Sequence, residues 1–306
     1  MQNEKKKIIF PLTSNIHWSR NQLLLEELKN SFDVHLCFYS EKEMSMVDIS
    51  KDITQKFPKA LDHIKPDLVL IRADRFELLP CAMLSVYGGY KVAQLEAGDL
   101  SGVVDNKVRF AISALADFHF TTNEDSQNRM LSMGFKNVWN CGSLDCEYAL
   151  SVKPQNAIRK KYLMVLYHSI PNEPPGAVLE AVEAFKKDHD IVGVRGNKDY
   201  GIESSYKEWY SPEEFINLLR GASCLIGNSS AGLKEASVLG TPVVNVGDRQ
   251  KNRLRPPNVI DVACEKELIK FGISYQLKHG HYESSDVYGS KDVSKRIMDK
   301  IMMFDF

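Results

Sequence analysis

Short apolar runs alternate with helical patterns along the whole chain, and this alternation constrains the fold more than any other feature. It is the mark of parallel strands joined by crossover helices. The first half carries runs at IIFPL (8–12), VHLCFY (34–39), DLVLIR (67–72), KVAQLE (91–96) and FHFTT (118–122), each bounded by charged or turn residues. The second half repeats the scheme with YLMVLY (162–167), IVGV (191–194), CLIG (224–227) and PVVNV (242–246). Between them SVKPQNAIRKK (151–161) is polar, bears a proline and lacks an amphipathic face, which suits an interdomain connection. The expectation is an α/β chain of two doubly wound, Rossmann-like domains, 1–155 and 156–306, facing each other across a cleft. Open α/β sheets bind ligands outside the carboxyl ends of their strands, so residues just after strands are the first places to look for chemistry.

Charge narrows the partners. The 306 residues carry 39 Lys and Arg against 40 Asp and Glu, a net charge of −1. That balance offers no basic footprint for nucleic acid and no polybasic patch for a membrane, so a neutral partner or a locally recognised anion is expected. The six cysteines lie scattered, mostly in or beside apolar runs, where reduced Cys packs as a small hydrophobe; a reduced, cytoplasmic protein follows. No second pair completes a tetrahedral site around Cys141 and Cys146, so no metal is expected. The apolar run IIFPL is too brief for a secretory core or a membrane span.

Two groups of residues carry chemistry. Asn228-Ser229-Ser230-Ala231-Gly232 follows a strand and opens a helical pattern through Leu233, Glu235, Ala236 and Leu239. Hydroxyls and end-of-helix N–H groups suit either an anion or a plain N-cap, and the motif alone does not choose. Glu235 would repel phosphate but accept hydrogen bonds from a ribose diol, a pairing typical of nucleotides. The loop Gly247–Arg255 follows the next strand and supplies cations for a diphosphate, unless it is merely a solvated basic loop. The other group is a trio of acids: Asp74 after one strand, Glu96 ending the next, and Asp105 at a helix start. Carboxylates in different surroundings divide acid and base work. Asp74 has Arg72 or Arg75 as a plain ion-pair alternative, and Asp105 has Arg109 four residues on, whereas Glu96 has no sequence-local partner. His168 closes the matching strand of the second half, as an acid–base group or as a structural one. Trp209 reads more readily as core than as a base-stacking ring. Ser211-Pro212-Glu213-Glu214 is a helix-start signal without chemistry.

Together these motifs resemble the hydrolysing UDP-N-acetylglucosamine 2-epimerases. GNSSAGLKEASVLGTPVVNVGDRQKNRLRPPNVIDV (227–262) resembles that family's nucleotide-binding segment, and ADRFELL (73–79) with LEAGDLSGVVDNKVRFAISALADFHF (95–120) resembles its catalytic segment. The resemblance implies a GT-B-like fold whose C-terminal helix, here within 292–301, crosses back to the first domain. It places the catalytic acids on Asp74, Glu96 and Asp105 and the strand-end histidine on His168. Arg75, Asn197, Ser229, Ser230, Glu235 and Arg249 are implied contacts of the UDP part, the two serines and Arg249 near phosphate and Glu235 on the ribose, and Ser19 is an implied substrate contact. No cofactor is implied, the partner is a UDP-sugar, and a homodimer or homotetramer is expected.

The implied reaction converts UDP-GlcNAc to UDP and N-acetylmannosamine through a glucal, supplying sialic-acid-like sugars of a surface polysaccharide. A non-hydrolysing 2-epimerase of a UDP-amino sugar, a GT-B glycosyltransferase and a binding protein without turnover are the alternatives. Three departures bear on the choice. Asn15 stands where the family has a phosphate-contacting arginine and His17 where it has an aspartate, which leaves Arg20 as a candidate replacement cation. The stretch after the catalytic glutamate reads Ala97-Gly98-Asp99 in place of paired glycines and a glutamate. The chain is also shorter than typical members between His168 and Ser229, so a second domain short of one element is expected.

Overall fold

The computed structural model describes residues 5–12, 15–39, 46–72, 78–102, 105–155, 160–170, 173, 175–195 and 209–305, with residues 15–17 and 46 described by their backbone alone. The chain forms two units, residues 1–148 with 291–306, and residues 149–290. Each is built on one parallel sheet.

In the first unit the strands are β1 (Lys7–Leu12), β2 (Asp33–Phe38), β3 (Leu68–Arg72), β4 (Lys91–Ala97), β5 (Phe118–Thr121) and β6 (Val138–Asn140), in the order β2-β1-β3-β4-β5-β6. Their side chains alternate between two cores. Ile8, Phe10, Leu12, Leu68 and Leu70 pack on one face with Leu24, Leu25 and Leu28 of α2 (Gln22–Ser31), while Ile9, Val69 and Ile71 pack on the other with Ile53, Phe57 and Leu61 of α3 (Met46–Ile64). This double covering explains why β3 reads as an unbroken apolar run rather than an alternating one.

The second unit holds β7 (Tyr162–Leu166), β8 (Asp190–Gly193), β9 (Cys224–Gly227), β10 (Val243–Val246) and β11 (Val259–Val262), in the order β11-β10-β9-β7-β8. Val178, Ala181 and Val182 of α8 (Gly176–Glu183) and Ile269 and Ile273 of α11 (Lys266–His279) cover one face; Leu218 and Leu219 of α9 (Pro212–Gly221) lie on the other. Ser211 caps α9 in a full capping box with Glu214, as its sequence signal indicates. Residues 149–155 belong to this unit and are tied to α9: Arg220 donates to the carbonyls of Ala149 and Val152 at 3.0 and 2.9 Å, and the amide of Gln155 donates to Asn217 Oδ1 at 2.9 Å.

The last helix, α12 (Val293–Ile301), packs with the first unit through Val293, Ile297, Met298 and Ile301. Its start is held by Glu147, which accepts from the amide of Ser294 at 3.0 Å and from its hydroxyl, and Arg296 donates to the carbonyl of Cys141 at 2.8 and 3.0 Å. Burial raises the Glu147 pKa, and the Ser294 bonds oppose that shift. Ile297→Ala empties a well-packed site and should cost roughly 2–5 kcal/mol, read as a fall in denaturant midpoint. An unchanged midpoint would mean that α12 adds nothing to the first core.

Two strands escape the sequence reading, β6 and β11, of three and four residues. Trp209 departs from its expected place in the core: it is 58% exposed, with the Arg195 guanidinium 5.0 Å from its ring centroid. A cation lying over an indole face satisfies the ring without burying it. The six cysteines are thiols, four of them buried, and burial pushes Cys141 up to about 11. Among the described residues no helix is long and apolar enough to cross a membrane.

Candidate active site

In the first unit, the site grows from the ends of β3 and β4. Glu96 adopts a left-handed backbone at φ 60°, where the register of β4 against β5 shifts between Leu95 and Ala97. A non-glycine residue held there carries strain of order 1–3 kcal/mol, which persists only where the surroundings enforce it. They do. Gly98 follows at φ 76°, in a spot where a Cβ would lie 2.6 Å from the carbonyl oxygen of Ser126. Asp99 is buried, and its Oδ1 accepts from Thr122 Oγ1 at 3.0 Å, Ser126 Oγ at 2.9 Å and Asn123 Nδ2 at 3.3 Å. Arg109 Nη1 donates to the Asp99 carbonyl at 2.9 Å and Arg129 Nη1 to that of Gly98 at 2.6 Å.

The partner that sequence did not give Glu96 is Arg72, the last residue of β3. Arg72 Nη2 lies 2.7 Å from Glu96 Oε1 and 2.8 Å from Asp145 Oδ1, and Nη1 donates to Asn21 Oδ1 at 3.3 Å. Asp145 stands in the first turn of α7 (Leu144–Ser151), where the helix dipole favours a carboxylate. Arg20, the candidate replacement cation, has its Nη1 3.5 Å from Asp145 Oδ1. Asp105 opens α5 (Asp105–Leu115), half-buried, and Arg109 of the same helix reaches Asp99 and Asn106. Ser19 is half-buried on α1 (Asn15–Arg20). Asp74 and Arg75 lie outside the described residues, as do the side chains of Asn15 and His17.

In the second unit, β7 and β9 are adjacent strands whose connections run to opposite sides, which is the switch point where open sheets bind ligands. His168 follows β7, and Asn228 to Ser230 follow β9. The amide of His168 donates to Asn228 Oδ1 at 2.8 Å and Asn228 Nδ2 returns a bond to the His168 carbonyl at 2.9 Å, so an asparagine side chain extends the ladder past the strand ends. His168 is buried. The single helix expected from Ser229 onward is instead a 3-10 turn at Ser230–Gly232, capped by Ser229, followed by the five-residue α10 (Glu235–Leu239). The dipole is correspondingly short, and any anion affinity rests on the hydroxyls, the turn amides and nearby cations. Glu235 is buried at the start of α10.

The arginines of the basic loop are built into hydrogen bonds, while Asp248, Lys251 and Asn252 stay exposed. Arg249 Nη1 and Gln250 Nε2 both donate to the Asn228 carbonyl, at 3.0 and 2.8 Å, and this brings Arg249 beside the Ser229–Ser230 turn. Arg253 and Arg255 act as struts: Arg253 donates to Gln250 Oε1, while Arg255 pairs with Asp261 at 2.7 Å and donates to the carbonyls of Gln250 and Arg253. Asn197 lies outside the described residues. Gln250 and Asn228 are the parts that sequence reasoning undervalued, since an amide between two strand ends has no spacing signature. Among the described residues no group of three His, Cys, Asp or Glu is placed to hold a metal.

Residues 12–302 match the family model described as UDP-N-acetylglucosamine 2-epimerase. The chain belongs to that family. This epimerase-family chain is 31% identical over 259 residues to the UDP-N-acetylglucosamine 2-epimerase of Neisseria meningitidis serogroup B, covering 76% of this chain and 69% of the relative. It is also 31% identical over 272 residues to the UDP-N,N'-diacetylbacillosamine 2-epimerase (hydrolyzing) of Legionella pneumophila, covering 78% and 72%. Among solved structures, the Methanocaldococcus jannaschii UDP-GlcNAc 2-epimerase in complex with UDP-GlcNAc and UDP superposes with a TM-score of 0.80 at 16% identity, over 97% of this chain and 100% of that one. The epimerase-family chain thus has the GT-B-like fold of two parallel-sheet α/β domains.

Proposed function

We propose that this protein is a hydrolysing 2-epimerase that converts UDP-GlcNAc to UDP and N-acetylmannosamine. The observation that carries the reading is Glu96, a buried strand-end carboxylate on a strained left-handed backbone, ion-paired to Arg72 at 2.7 Å. Strain kept at a titratable residue is characteristic of catalytic positions. In the first stage a base removes the proton from C2 of the sugar while the C1–O bond breaks and its electron pair leaves with UDP, giving a glucal. In the second stage water adds across the double bond, with hydroxyl to C1 and a proton to C2 from the opposite face. Asp74, Glu96 and Asp105 share these proton transfers, with His168 as a further acid–base group. Ser229, Ser230 and Arg249 receive the departing diphosphate, Glu235 the ribose, Arg75 and Asn197 contact the UDP part as well, and Ser19 contacts the substrate. A preorganised cation at the leaving group lowers the barrier because charge grows there in the transition state.

The hydrolytic outcome is supported by the Legionella relative, whose name specifies hydrolysis. That same name favours a second reading, in which the sugar is an N,N'-diacetylated relative of GlcNAc and the chemistry is unchanged. Incubation with UDP-GlcNAc in deuterated water tests the proposal. Deuterium at C2 of free N-acetylmannosamine is the expected result. Deuterium in intact UDP-sugar would mean that UDP is not released, and absence of exchange would point to a transferase, to a binding protein, or to the diacetylated substrate, which the same assay on that sugar nucleotide separates.

A further inference from the structure

Two independent sets of bonds act on Glu96. Its backbone is fixed from below by the loop that follows, through Asp99 and its three donors, Thr122 and Asn123 between β5 and α6 (Glu124–Ser132) and Ser126 in the first turn of α6, and through Arg109 and Arg129 on the carbonyls of Asp99 and Gly98. None of those bonds reaches its carboxylate. The carboxylate is met by Arg72, which is wholly buried. One nitrogen of this guanidinium is shared between Glu96 Oε1 and Asp145 Oδ1, and another reaches Asn21 Oδ1. Three elements therefore aim the fork: β3 carries it, the first turn of α7 pulls one tip, and the residue between α1 and α2 takes the other. Arg20 adds a second guanidinium near Asp145, its Nη1 3.5 Å from Oδ1, so among the described residues each carboxylate of the cluster has a cation beside it.

We infer that Arg72 is a positioning residue for Glu96, with Asp145 as the counter-anchor that holds the guanidinium in place. The inference rests on the reading above in which Glu96 serves in the proton transfer. Arginine suits the place because a planar fork donates to Glu96 and Asn21 in fixed directions while its charge pairs with Asp145, whereas an ammonium is a single point. Loss of the clamp frees the side chain while Asp99 still holds the loop, so the effect falls on the chemical step and not on substrate binding. A carboxylate displaced by about 1 Å from its proton costs on the order of 10²-fold in rate.

The test compares Arg72→Lys, Arg72→Met and Asp145→Asn, with Glu96→Gln as reference, by steady-state kinetics of UDP release from UDP-GlcNAc. The expected result is a fall in kcat of about 10²-fold for Arg72→Met, a smaller fall for Arg72→Lys and for Asp145→Asn, and KM within about two-fold throughout. If Arg72→Met fails to fold, Arg72→Lys and Asp145→Asn decide, because each keeps a charge partner in the cluster. Native kcat in folded Arg72→Lys and Asp145→Asn, or a rise in KM at constant kcat, would overturn the inference. Turnover retained by Glu96→Gln would instead overturn the role of Glu96 itself, which keeps the two failures apart.

Discussion

Glu96→Gln should lower turnover of UDP-GlcNAc by about 10²–10⁴-fold, the range that a positioned general acid or base contributes. The substitution keeps the shape of the side chain and removes its charge. Removing one member of a buried ion pair usually strands the other and destabilises the fold by roughly 3–5 kcal/mol. Here Arg72 is not stranded, because Asp145 Oδ1 remains 2.8 Å from the same nitrogen and Asn21 accepts from the other. The melting temperature should therefore move little, and UDP affinity, which is assigned to residues other than Glu96, should stay at its native value. UDP release, calorimetric UDP binding and a thermal melt on the same preparation separate these quantities. Turnover close to native would remove Glu96 from the mechanism; a large drop in melting temperature would recast the Arg72 cluster as chiefly a folding element.

The fold was legible because both sheets are parallel and covered on both faces, so each central strand is a compact apolar run flanked by turns. The short strands β6 and β11 were not legible, since three or four residues contain too few positions to show a period. In the site, Glu96 stood out as an acid ending an apolar strand, but its partner Arg72 is 24 positions away and looked like a local partner for Asp74. The sheet order sets β3 beside β4 and so brings Arg72 to Glu96, while Asp145 and Asn21, which carry no motif at all, reach the same guanidinium from α7 and from the residue before α2. The loop from Gly247 was readable as basic, yet the division between Arg249 at the Ser-Ser turn and Arg253 and Arg255 as struts depends on which carbonyls each can reach. Charge is visible in a sequence, and hydrogen-bond geometry is not. Trp209 shows the same limit, since the Arg195 guanidinium that lies over its exposed ring has no signature in the sequence.

Gly227→Ala is expected to damage the second unit more than any other single-methyl change at the site. Gly227 ends β9 directly opposite Leu166 of β7. A Cβ there would lie 1.9 Å from the Leu166 carbonyl oxygen and 2.6 Å from its carbonyl carbon, both of them backbone atoms at the ends of two paired inner strands, and neither can rotate away. The two strands must part or slip, and the bonds built on their junction go with them: the amide of Asn228 to Leu166, the paired bonds between Asn228 and His168, and the Asn228 carbonyl that receives Arg249 and Gln250. Overpacking against rigid atoms costs about 3 kcal/mol or more, or a fall of roughly 6–12 °C in melting temperature for a unit of this size. UDP affinity should drop at least about ten-fold, because the charge-assisted bonds assigned to Arg249 lose their geometry. Ser229→Ala is the control, since it removes one hydroxyl from the same turn and leaves the strands in register. A Gly227→Ala protein that melts and binds UDP like the native one would show that the β7–β9 junction does not set the position of the diphosphate site.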